Sequence, residues 1–186
     1  MALYNRVLAY AYARKYAQNY NDFWPVDPVS DCTNFISQAL LSGGWQMVGG
    51  PLDDDEDAWY GTATPAVFPF TEGRSILYRS HSWGGAEPFA QFLRASGRAT
   101  PCVQADLIIG DVVQLLDQKG RAHHSMIVTG GFGAKSVLSY HTKDRLDIPV
   151  ASIIPNGYTQ VTYWKLKDVV PDVPEQAPMF PPGWNA

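Results

Sequence analysis

From Leu3 to Tyr20 the chain repeats Tyr4, Leu8, Tyr12, Tyr16 and Tyr20 at every fourth position, with Leu3, Val7 and Ala11 beside them and Arg14, Lys15 and Gln18 elsewhere. That spacing predicts an amphipathic helix whose tyrosine-rich face packs into the core. Asn19 to Ser30, with Pro25 and Pro28, predicts a loop. A shorter helix is expected over 31–44. Asp31 suits its N-cap, Phe35, Ile36, Ala39 and Leu40 recur at helical spacing, and Gly43-Gly44 suits its end. Residues 45–85 show no sustained period and predict a long irregular insert with one short helix, of the kind that often serves as a lid or binding element. Glu87 to Ser96 predicts another helix, with Pro88 in its first turn and Gly97 at its close.

Beyond Gly97 the pattern changes. Leu107–Leu116, His124–Thr129, Ser136–Thr142 and Gln160–Leu166 are rich in Val, Ile, Tyr and Thr and predict strands. Helices first and strands second favour an α+β fold with an antiparallel sheet over a doubly wound one. The expected organisation is a single domain over 1–170 and an extended tail over 171–186, where five prolines fall in sixteen residues.

Composition narrows the function. Fourteen Lys and Arg stand against eighteen Asp and Glu, without a basic stripe, so neither nucleic acid nor an anionic membrane is an expected partner. The first ten residues lack a basic start followed by an apolar stretch, which predicts a cytoplasmic chain unless a longer precursor has been trimmed. Two cysteines, Cys32 and Cys102, exclude a disulfide framework and a cysteine-built zinc site. One Cys32–Cys102 bridge remains open and would extinguish any catalytic thiol. The run Asp53-Asp54-Asp55-Glu56-Asp57 lacks the glycine and the glutamate of a calcium loop and predicts a solvated acidic loop. No metal or cofactor is expected.

The candidate chemistry centres on Cys32 in the first turn of the second helix, where unpaired N–H groups and the positive dipole end favour a thiolate. A free cysteine is also commonly a small buried hydrophobe, so its partners decide the reading. A thiol nucleophile needs a base, and the base an orienting group. If Thr129 pairs with Ser136 across the glycine-rich link 130–135, His124 faces His141, and one imidazole serves as base with the other as its orienter. His123 then points to the opposite face, and His81 is expected to pack or lie on the surface. Two histidines and a cysteine also allow a zinc site, although the usual motifs are missing.

The chain resembles the bacterial putative-amidase domain family, and more widely the papain-fold hydrolases of the NlpC and CHAP type. The matching segments are Tyr4-Asn5-Arg6, Asp31-Cys32-Thr33-Asn34-Phe35-Ile36-Ser37-Gln38, Gly110-Asp111-Val112-Val113-Gln114-Leu115, His124 to Gly130 and Ser139 to Leu146. The resemblance implies a papain-like cysteine hydrolase in which Cys32 attacks a carbonyl, His124 shuttles the proton and His141 holds the ring, with Asp144 as alternative orienter. It implies an oxyanion hole from the Cys32 N–H, joined by Asn21 or Tyr20. Peptidoglycan-type peptides are the expected substrate, with Trp45, Trp59 and Trp83 lining the groove. Two alternatives stay open: an acyltransferase using the same site, and a non-catalytic module binding a cell-wall peptide or glycan.

Overall fold

The computed structural model describes residues 2–26, 30–50, 57–64, 76–153 and 160–170. The chain runs β1 (Ala2–Leu3), α1 (Arg6–Tyr16), α2 (Cys32–Ser42), β2 (Gly61–Thr64), β3 (Ile76–Arg79), α3 (His81–Gly84), α4 (Ala86–Ala95) and β4 (Ala99–Cys102). It continues through β5 (Val112–Leu116), β6 (Ala122–Gly130), β7 (Val137–Tyr140), β8 (Arg145–Pro149), β9 (Gln160–Leu166) and β10 (Val169–Val170). Six strands form one antiparallel sheet in the order β4-β9-β5-β6-β7-β8, and β1 pairs with β10. This is the expected α+β arrangement. The tail and the acidic residues 53–56 lie outside the described residues, while Asp57 is exposed.

The helices cover one face of the sheet. Phe35, Ile36, Ala39 and Leu40 of α2 and Phe89, Phe92 and Leu93 of α4 share a core with Val112, Ile127 and Trp164. A second core, on the other face, collects Leu107, Val113, Leu115, Met126, Val128 and Leu138. The alternation along β5 and β6 therefore splits between two cores, as expected for strands buried on both faces.

Three expectations change. The first helix begins at Arg6, capped by Asn5, whose side chain accepts from the Leu8 N–H. Its fully buried positions are Ala9, Ala13 and Ala17, whose small side chains let α1 lie close against α2, while of the tyrosine repeat Tyr4 is in the core, Tyr12 and Tyr16 are half-buried against it and Tyr20 is exposed. The insert is more regular than its sequence suggests. Val48 bridges Trp59, β2 and β3 form a ribbon, and α3 follows. The three tryptophans expected to line a groove are core residues, at most 1% exposed, with Trp59 packed between Trp45 at 5.5 Å and Trp83 at 4.8 Å. Among the described residues no helix is long and apolar enough to cross a membrane.

Candidate active site

Helix α2 places Cys32. Its residues from Cys32 to Leu40 are all buried, between α1 on one side, α3 on another and the sheet beneath. Gly43 and Gly44 close the helix because the space demands it. A Cβ at Gly43 would come within 2.6 Å of the Tyr4 ring, and Gly44 holds a φ of +93°.

Asp31 does not cap α2 with its side chain. Its carboxylate turns instead to His141, just past the end of β7, with Oδ2 2.6 Å from Nδ1. The other oxygen accepts from Asn34 Nδ2 at 2.8 Å, and Asn34 Oδ1 accepts from Trp83 Nε1 at 2.8 Å. His141 Nε2 lies 2.7 Å from the carbonyl oxygen of Tyr16, at the end of α1. The ring stacks on Phe35 at 4.1 Å, with Tyr20 against it at 4.6 Å. Asp31 and Phe35 thus bracket Cys32 along α2, and both touch the same imidazole.

Donor and acceptor counting defines this pair. A carbonyl only accepts, so Nε2 carries hydrogen, and the short contact between Nδ1 and the carboxylate needs one more proton, on the ring or on Asp31. Asp31 and His141 are therefore neutral together, as an ion pair or as two uncharged groups. Neutrality suits their burial, at 3% and 2% exposure.

The sheet sends His124 elsewhere. Ile127 pairs with Ser139 and Val128 with Leu138, one residue out of step with a Thr129–Ser136 pairing. A shift of one residue turns every side chain to the other face. His124 pairs with Leu115 of the second core and sets its ring edge-on to Tyr140 at 4.9 Å, whereas Ser125 and His141 face the helices. Burial first, then the charges of His123 and Lys143, push the His124 ring down from its usual 6.5 to about 4. The expected His124–His141 pair does not form.

The remaining candidates have other duties. Asp144 accepts from the Tyr20 hydroxyl at 2.9 Å and holds a left-handed φ of +46°; the carboxylate at His141 is Asp31. Asn21 donates to the Tyr12 hydroxyl at 3.0 Å and accepts from the Phe23 N–H. Cys32 and Cys102 are both free thiols, Cys32 buried and Cys102 half-buried in β4, so no bridge joins them. Among the described residues no group of three or more His, Cys, Asp or Glu side chains gathers as a metal site. Asp31 escaped the sequence reading as a histidine partner because an acid before a helix start reads first as a cap.

A family model described as "Putative amidase domain" matches residues 3–164. The chain belongs to this family. The matched residues include the helix of Cys32, nearly all of the sheet and His141. "Uncharacterized protein YjcM" of Bacillus subtilis (strain 168) is 26% identical to this amidase-family chain over 158 residues, covering 78% of the chain and 32% of that protein. The chain thus spans about a third of the length of that relative. No solved structure matches it.

Proposed function

We propose that the chain is a cysteine-dependent amidase with Cys32 as nucleophile and His141, paired with Asp31, as the proton carrier. The arrangement would be papain-like in the NlpC and CHAP sense, supported by a helix that opens on a cysteine and packs on an antiparallel sheet. The observation that carries the reading is the buried Asp31–His141 pair on the first turn of the helix that begins with Cys32. A cysteine placed there only for packing needs no ionisable pair at its helix start, and making a buried pair of ionisable groups costs desolvation that packing alone does not recover.

In the reaction the Cys32 sulfur, its proton already on the imidazole, attacks the amide carbonyl carbon. The C–N bond breaks, and the leaving nitrogen takes the proton from His141, whose Nε2–H exchanges the Tyr16 carbonyl for the reacting atoms. Water then gives a proton back to the ring and its oxygen to the thioester carbon, releasing the acid and the thiolate. The Cys32 backbone N–H, unpaired in the first helical turn, supplies an oxyanion donor. An amide in a peptidoglycan-type peptide is the proposed substrate.

Muropeptides and simple peptide amides incubated with wild type and Cys32→Ala test this directly. Wild type is expected to turn over and form a mass adduct on Cys32, and Cys32→Ala to do neither. His141→Asn should lower kcat/KM at least about a hundredfold, whereas His124→Phe should stay within about threefold. Turnover by Cys32→Ala, or loss with His124→Phe alone, would overturn the assignment.

A further inference from the structure

A polar chain ends on the Cys32 sulfur, and it starts from a group that can only donate. The Trp164 indole N–H lies 2.8 Å from Gln114 Oε1, so that atom must be the amide oxygen. Gln114 Nε2 lies 2.9 Å from the carbonyl oxygen of Ala86 and 3.0 Å from Ser125 Oγ. A carbonyl only accepts, so the amide orientation is fixed at both ends, and its two hydrogens are committed to Ala86 and Ser125. Ser125 Oγ accepts from Gln114, and pairing its own hydrogen in this buried site directs it to Thr33 Oγ1 at 3.0 Å, since a bond in the reverse sense would leave that hydrogen without an acceptor. Thr33 is an acceptor in that bond, which releases its hydroxyl hydrogen toward Cys32 Sγ at 3.7 Å. Trp164, Gln114, Ser125 and Thr33 are all 0% exposed and Cys32 2%, so water does not compete for these groups.

We infer that Thr33 is a catalytic hydrogen-bond donor to the Cys32 sulfur, oriented by Ser125, Gln114 and Trp164 as positioning residues. The inference rests on the reading of Cys32 as nucleophile, since it assigns what holds the sulfur as an anion. An O–H donor gains most when its acceptor is charged, so the chain favours thiolate over thiol. Catalytic hydrogen bonds are often long without substrate and tighten in the complex, which fits the 3.7 Å separation. Ser125 adds a steric function: its small side chain lets α2 approach β6 closely enough for the hydroxyls to meet.

The test is the ultraviolet absorbance of the Cys32 thiolate as a function of pH, taken as the difference between Cys102→Ser and Cys102→Ser/Cys32→Ser proteins. In the Cys102→Ser background, Thr33→Val, which keeps shape and removes the donor, should move the midpoint upward by about one pH unit. Thr33→Ser, which keeps the hydroxyl, should restore it. Ser125→Ala should give a smaller upward shift, because Thr33 loses the group that orients it, and it carries the test if Thr33→Val does not fold. Unmoved midpoints in whichever of these two variants fold would overturn the inference. Turnover by Cys32→Ala would instead sink the amidase reading, while the titration still decides whether Thr33 donates to the sulfur.

Discussion

His124 and His141 carry one side chain into two settings. Around His124 the apolar second core withholds solvation, and His123 and Lys143 add positive charge, so the ring gives up its proton down to about pH 4. His141 is buried more deeply, but a carboxylate and a carbonyl face its nitrogens. The difference has a consequence for stability. An unfolded chain protonates His124 near the usual 6.5 and the folded chain does not, so the unfolded state binds more protons between about pH 6.5 and 4 and stability falls as pH drops through that window. Relative to wild type, His124→Phe should therefore be more stable by about 2.5 kcal/mol extra at about pH 4.5 than at about pH 7.5, measured by urea unfolding at both. Cys32 was legible at this scale, since a helix start with a cysteine shows in the sequence. The partner of His141 was not, because which carboxylate meets a ring depends on a contact between residues more than a hundred positions apart.

The β6–β7 hairpin decides which histidine faces the helices. Its register departs from simple pairing because Val128 opposes Leu138 while Gly130 opposes Val137, leaving Thr129 as an extra residue on β6. Thr129 uses that position, bonding Ser139 Oγ at 2.7 Å and Asp147 Oδ1 at 2.8 Å. A glycine-rich link announces a hairpin in the sequence, but no residue in it announces a bulge, so the strands were legible and their register was not. Gly131 holds the turn with a φ of +67°, and a Cβ there would stand 2.1 Å from the Lys135 carbonyl oxygen. Gly131→Ala should cost at least about 2 kcal/mol in chemical unfolding and disturb the hairpin that carries His141. The first helix teaches the same lesson in packing. A four-residue tyrosine repeat marks a helix correctly, yet its fully buried positions are Ala9, Ala13 and Ala17, with Tyr12 and Tyr16 half-buried beside them, since close approach rewards small side chains.

At the scale of the whole molecule, the amino-terminal helix is tied to the sheet by one buried carboxylate. Arg6 Nη1 meets Asp111 Oδ1 at 2.7 Å, Nε meets Asp168 at 2.5 Å, and Nη2 donates to the Leu166 carbonyl. Asp111, fully buried, also receives the N–H groups of Ile108 and Leu166 and faces Lys165 Nζ at 3.2 Å. Both carboxylates hold the Arg6 guanidinium protonated above its usual range, against the pull of burial. Arg6→Ala leaves the Asp111 charge without its closest partner and should cost about 3 to 5 kcal/mol, read as a large drop in Tm with the Lys165 contact unchanged. Such a loss would loosen α1, whose last carbonyl holds His141. The sequence by itself determined the α+β class, the helix that opens on Cys32, most of the main strands and the polar residues from which a site had to be drawn, because each follows from local spacing and chain chemistry. Tertiary structure alone decided which of them meet: a one-residue register shift turned His124 away, Asp31 exchanged capping for His141, and three tryptophans closed into the core. Pairing across a sheet and packing between layers depend on all the neighbours at once, and no single stretch of sequence contains them.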